Sequence, residues 1–134
     1  MSLIKLSIIN SIQTNNFKDV RLLKKISALW EEAREHLTEE EITYGLYHEY
    51  ESDYKGDYTL SVATEVDADE TIEIPQEEKY LIFKVDASQG EQGIFTTWRT
   101  IWRQEDEGEI ERAYTIDYEK YYPNGEIEIH IAIK

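Results

Sequence analysis

Residues 113–134, AYTIDYEKYYPNGEIEIHIAIK, carry the clearest secondary-structure signal in the chain. After the Pro123-Asn124-Gly125 turn the residues alternate strictly. Ile127, Ile129, Ile131 and Ile133 point one way, and Glu126, Glu128, His130 and Ala132 the other. A period of two marks a half-buried strand whose isoleucine face packs on something apolar. AYTIDYEKYY forms the other arm of the hairpin, with Asp117, Glu119 and Tyr121 on one face and Ile116 and Tyr118 on the other.

The same plan occurs upstream. YGLYHEYES (44–52) leads through a Tyr54-Lys55-Gly56-Asp57 turn into YTLSVATEV (58–66). Each hairpin follows a segment with helical spacing: VRLLKKISALWEEAREHL (20–37) and EQGIFTTWRTIWRQE (91–105). A strand-like run precedes each helix: LIKLSIINSIQT (3–14) and KYLIFKV (79–85). The fold class is therefore α+β, a duplicated strand-helix-hairpin (β-α-β-β) unit with a curved antiparallel sheet packed on helices. Anchored on Gly56 and Gly125, Glu49 falls opposite Tyr118 and Tyr50 opposite Glu119. A repeat this short makes two half-domains with a common core, a single domain over 1–134. The half-repeats run over about 1–66 and 79–134, and the acidic stretch 67–78, which includes Pro75, reads as their link. Such halves meet in a pseudo-two-fold cleft, and here Tyr, Trp and carboxylate would line it.

In the first helix Leu22, Ile26, Leu29, Ala33 and Leu37 form a core stripe, widened by Leu23 and Trp30, with Asp19 as N-cap. Thr38 to Glu41 has capping-box spacing or is an acidic turn, and Ser88 with Glu91 has the same spacing before the second helix. The second helix carries Ile94, Phe95, Trp98, Ile101 and Trp102 as its stripe.

Composition narrows the function. Twenty-nine acids against 14 basic residues give a formal charge of −15. Such a chain is repelled by nucleic-acid phosphates and anionic membranes, so neither is an expected partner. It attracts cations or a basic protein surface. No apolar run is long enough to span a bilayer, and no secretory signal is visible. With no Cys there is no disulfide framework, and a cytoplasmic location is expected. No phosphate loop, H-E-x-x-H or Cys/His cluster occurs. His36, His48 and His130 are far apart and read as surface or strand residues, so neither metal nor cofactor is expected. Ten Tyr and three Trp exceed what a small core needs and cluster at 44–58, 98–102 and 114–122. Aromatic faces and a carboxylate are the groups that hold an organic cation.

Several short motifs, in order, resemble the effector-binding domain of AraC/XylS-type transcription activators, the GyrI-like domain. They are Ala28-Leu29-Trp30, Tyr44-Gly45-Leu46-Tyr47, Trp98-Arg99-Thr100-Ile101-Trp102, Tyr118-Glu119-Lys120-Tyr121 and Glu128-Ile129-His130-Ile131-Ala132-Ile133. Ala132 stands where that family usually has proline. The resemblance implies a small-molecule cleft between repeats, with lipophilic cationic drugs among the family's ligands. It also implies a cleft glutamate, best matched by Glu119 and next by Glu128. Tyr47, Trp98, Trp102 and Tyr114 are expected to stack on the ligand. With no DNA-binding module preceding the domain, the resemblance is to a stand-alone member, a type carried on mobile gene cassettes. Its use would be sequestration or sensing through a protein partner in transcription regulation. The expectation is a binding protein with no catalytic residue. Two rivals are a small hydrolase using the cleft glutamate and an acidic protein-binding modulator of DNA gyrase.

Overall fold

The computed structural model describes residues 3–37, 42–52, 55–65, 72–75, 79–89 and 91–134. Tyr54 of the first turn, the Thr38–Glu41 segment and most of 67–78 lie outside the described residues. The elements run β1 (Leu3–Thr14), α1 (Leu22–Ala33), β2 (Thr43–His48), β3 (Tyr58–Glu65), β4 (Ile72–Pro75), β5 (Lys79–Val85), α2 (Glu91–Asp106), β6 (Asp117–Tyr121) and β7 (Ile127–Ile133). Short 3-10 turns follow α1 and precede α2.

The seven strands among the described residues form one antiparallel sheet, in the order β4-β1-β3-β2-β6-β7-β5. Without β4 the order is palindromic: β1-β3-β2 is repeated as β5-β7-β6, and the halves join where β2 pairs with β6. The strand order is therefore that of two β-α-β-β units in a single continuous sheet. Residues 49–57 separate β2 from β3 but only 122–126 separate β6 from β7, so the turn glycines are not equivalent points of the two units. At the seam it is Gly45 that pairs with Glu119.

The acidic stretch after β3 contributes an element the sequence reading lacks. Ile72–Pro75 adds an edge strand to β1, with Leu3 opposite Pro75 and Leu6 opposite Ile72. Proline is tolerated there because an edge strand has one row of backbone groups without a ladder partner.

The register of β1 shifts between Ile8 and Asn10. Before this bulge Leu6 faces the same side as Ala63; after it Ile12 faces the same side as Leu60. One extra residue switches which side chains face which layer. LIKLSIINSIQT lacks clean alternation because it supplies both faces of the sheet.

Three apolar clusters result. Under α1, Leu29 and Ala33 pack on Tyr58, Leu60 and Val62. Under α2, Trp98 and Ile101 pack on Val85, Ile129 and Ile131, as the isoleucine alternation predicts. On the opposite face Leu6, Tyr44, Leu46, Ala63 and Tyr118 form the third. Tyr47 packs against both helix-side clusters and so sits at the junction of the halves.

One expectation at a helix end is corrected. Arg21, with no side-chain cap bond, occupies the N-cap of α1. Asp19 instead accepts the Arg21 N–H at 2.9 Å and pairs with Lys25 at 2.5 Å, closing the preceding turn. Before α2, Asp86 organises the turn, accepting both the Ser88 N–H and its Oγ–H.

The Ile101 side chain is fully buried between α2 and β7. Ile101→Ala is expected to cost about 2–5 kcal/mol in urea unfolding, against roughly 0.5 kcal/mol or less for Val20→Ala at an exposed site. Similar unfolding midpoints for the two variants would contradict this packing.

Candidate ligand-binding site

On the helix side of the sheet, period two brings Thr43, Gly45 and Tyr47 of β2 beside Tyr121, Glu119 and Asp117 of β6. α1 and α2 stand over the two halves, and between them lies a cavity of about 740 Å3. Its walls include Leu22, Ile26 and Trp30 from α1 and Ile94, Trp98 and Trp102 from α2; Tyr47, Tyr50, Tyr58, Glu119 and Tyr121 reach it from the sheet and the segment after β2. That volume and this mostly apolar lining suit a small organic molecule. Leu22 and Leu23, read from sequence as core stripe, face this cavity, and Leu23 is exposed.

Glu119 is 3% exposed. Its Oε2 accepts the Tyr47 hydroxyl and the Trp98 indole N–H, each at 2.7 Å, and its Oε1 accepts the Tyr121 hydroxyl at 2.5 Å. Among the described residues no Lys, Arg or His lies within ion-pair distance of it. Burial raises its pKa above the ordinary carboxylate value, and the three neutral donors pull it back. Burial likewise holds the Tyr47 hydroxyl well above its usual range, reinforced by the Glu119 charge, so Tyr47 remains a donor.

Gly45 makes room for this carboxylate. A Cβ at that position would stand 3.3 Å from Glu119 Oε1 and 3.4 Å from the Trp30 ring. A glycine inside a strand is otherwise unfavourable; here it permits close approach.

The aromatic side chains form a connected set. Tyr47 meets Trp98 edge-on at 4.9 Å, and Trp30 meets Tyr121 at 5.1 Å. Trp98 and Trp102, four residues apart on α2, have ring centroids 6.4 Å apart. Phe17, before α1, touches Trp102 at 5.6 Å and so links the two halves across the cavity.

A second buried charge cluster adjoins the first. Arg112 Nη2 donates to Asp117 Oδ2 at 2.6 Å, with both side chains almost completely buried. Asp117 also accepts the Ala132 N–H at 2.8 Å and the Tyr50 hydroxyl. Burial opposes the Arg112 charge, but Asp117 outweighs that and holds its pKa above the usual value. The guanidinium lies 4.3 Å from the Tyr114 ring centroid and 5.9 Å from that of Trp98. Tyr114 has φ 55°, in the left-handed region uncommon for bulky residues.

The structure thus brings Glu119, Tyr47, Trp98 and Trp102 into one cavity and leaves two expected residues elsewhere. Tyr114 does not line it; its ring meets Arg112, and its hydroxyl donates to Glu105. Glu128 is on the opposite face of the sheet, where it accepts the Tyr122 hydroxyl at 2.9 Å and bonds His130 at 3.0 Å. Trp30, Tyr50, Tyr58 and Arg112 line the cavity although sequence reasoning did not select them for the site. Tyr121 was legible as a face-mate of Glu119. Arg112 lies outside every strand and helix, so periodicity gave no signal for it. Among the described residues, no group of three or more His, Asp or Glu is placed to hold a metal. No helix among them is long and apolar enough to cross a membrane.

The topology and cavity define an α+β architecture consistent with the GyrI-like fold. No family model matches the chain. It is 26% identical to the "Putative transcriptional regulator protein YobU" of Bacillus subtilis (strain 168), with 92% of this chain and 89% of that protein covered. The integron cassette protein VCH_CASS2, from the mobile metagenome of Vibrio cholerae, superposes with a TM-score of 0.74 at 26% identity, over 100% of both chains. SAV2435, solved bound to tetraphenylphosphonium, superposes with a TM-score of 0.69 at 12% identity, over 100% of this chain and 90% of that one. The last likeness is one of fold.

The raised Glu119 pKa gives a signed prediction. A carboxyl protonated more readily in the folded than in the unfolded state stabilises the fold below the ordinary carboxylate pKa. That stability is lost as pH rises through the raised value. The stability of the ligand-free protein minus that of Glu119→Gln is therefore expected to fall with rising pH across this window and level off above it. Chemical unfolding from pH 4 to pH 8 measures it; a difference that rises with pH would reverse the sign.

Proposed function

We propose that the chain is a binding domain for hydrophobic organic cations, with Glu119 as counter-charge. Tyr47, Trp98 and Trp102 form the stacking surface. The observation that carries the reading is a buried carboxylate facing an aromatic cavity, held by three neutral donors and, among the described residues, no cation. A desolvated carboxylate is costly until a positive charge meets it, so the site favours a ligand that brings one. Arg112 does not meet that need, because Asp117 is its close partner.

Aromatic contact with a desolvated cation contributes about 2 kcal/mol or more. Several such contacts with one charge-assisted contact bring affinity to roughly 8 kcal/mol, about micromolar. Aromatic walls impose shape loosely, so several cations of similar size are accepted. The tetraphenylphosphonium bound by SAV2435 is a cation of this chemistry. The YobU likeness favours a use in transcription regulation.

Tetraphenylphosphonium and tetraphenylborate have the same shape and opposite charge. Fluorescence titration is expected to show saturable binding of the cation and much weaker binding of the anion. Glu119→Gln should weaken cation binding about tenfold or more, because a hydrogen bond or contact to a charged group contributes roughly 1.5–3 kcal/mol. Glu128→Gln, on the far face of the sheet, is expected to leave it unchanged. Equal affinity for the two ions, or an unaffected Glu119→Gln, would refute the assignment.

A further inference from the structure

The net charge of −15 conceals a local reversal at the mouth of the cavity. Residues 15–28 hold Lys18, Arg21, Lys24 and Lys25 against one acid, Asp19, and Asp19 is paired with Lys25. Residues 94–104, most of α2, hold Arg99 and Arg103 and no acid. Lys18, Arg21, Lys24, Arg99 and Arg103 are exposed, and no ion pair among the described residues involves them.

Four of the six large exposed apolar side chains among the described residues lie on the same two segments; Ile8 and Ile82 lie on β1 and β5. Phe17 is 58% exposed, Val20 100%, Leu23 63% and Phe95 42%. Leu23 and Phe95 line the cavity from opposite helices, and the Phe17–Trp102 contact joins the two segments over it. Exposed apolar groups and cations without an ion-pair partner thus share the two segments beside the opening, where Arg34 and one acid, Glu31, also line the cavity.

We propose that this rim docks on an anionic lipid surface, with the cavity mouth facing the bilayer. Apolar side chains enter the acyl boundary while Lys and Arg reach lipid phosphates, the pattern of interfacial binding. The acidic remainder of the surface opposes docking only weakly, because charges more than about 8 Å from the headgroups are screened at physiological salt. The net charge alone predicts repulsion; the distribution predicts one oriented contact.

Other occupants fit the rim less well. A second copy would bring two chains of −15 together, and they repel. A nucleic-acid backbone offers nothing to a fully exposed Val20. A protein cap would close the opening through which a ligand passes. An anionic bilayer interface is also where amphiphilic cations accumulate, so docking there would present the open site to its ligands.

The test is flotation of the full chain with lipid vesicles and no ligand, so its outcome is independent of the cation-binding reading. The protein is expected to float with phosphatidylcholine–phosphatidylglycerol vesicles, not with phosphatidylcholine alone. Most of that association should be lost at about 1 M salt, where the screening length is about 3 Å. Combining Val20→Ser, Lys18→Gln and Lys24→Gln changes three exposed side chains outside the cavity lining. It is expected to lower the partition coefficient about tenfold or more while thermal melting stays unchanged. Absence of flotation with anionic vesicles overturns the proposal, as does equal flotation of the triple variant. A self-association, or a shift of duplex DNA, that the triple variant abolishes while vesicles remain unbound would reassign the rim to a second copy or to a general polyanion.

Discussion

The constraint on which the structure depends is a carboxylate buried at the seam between its halves. Glu119 stands opposite Gly45 on the central β2–β6 pair, where each half contributes one strand. Its two oxygens are satisfied from three directions: Oε2 by Tyr47 from β2 and Trp98 from α2, and Oε1 by Tyr121 from Glu119's own strand. These bonds tie the second helix to the sheet and orient the aromatic rings that wall the cavity. The same bonds lower the cost of burying the carboxylate without cancelling it, since no hydrogen-bond donor here carries a full positive charge.

Asp117, paired with Arg112, shows what a compensated carboxylate looks like. Their contact is short and both are buried, and the Ala132 N–H and the Tyr50 hydroxyl complete the carboxylate's coordination. Such a pair is expensive to break, because either partner alone would remain a buried charge. Two carboxylates two residues apart on β6 therefore have opposite electrostatic situations. One is matched by a cation inside the protein, and the other is held by three neutral donors. The separation also explains Tyr114, whose ring contributes to holding Arg112 rather than to the cavity wall.

Duplication accounts for the shape of the site. Two helices packed on the halves of one continuous sheet leave a gap above the seam, since each helix covers its own half. The gap is lined by side chains that would be core if the helices met. Leu22, Leu23 and Phe95 continue the helical stripes past the buried cores and reach the opening. With the basic residues around them they give an acidic protein one face of different character.

Local pattern was enough for the architecture. The alternation of Ile127 to Ile133, the two helical stripes and the repeated hairpins specified β-α-β-β twice, because side-chain periodicity follows directly from backbone geometry. It also put Asp117, Glu119 and Tyr121 on one face. The bulge in β1 and the pairing of Ile72–Pro75 with that strand were not legible, since both are set by a partner strand distant in sequence. Nor was the difference between the two candidate glutamates. Glu119 and Glu128 both lie on strands of aromatic, acidic character. Only the assembled sheet puts Glu119 under the helices and Glu128 on the far face beside His130, because which side of a strand becomes interior depends on what packs against it. Arg112 belongs to the same class: its partners come from several segments, and its place beneath Trp98 and against Tyr114 exists only once those segments have been brought together in space.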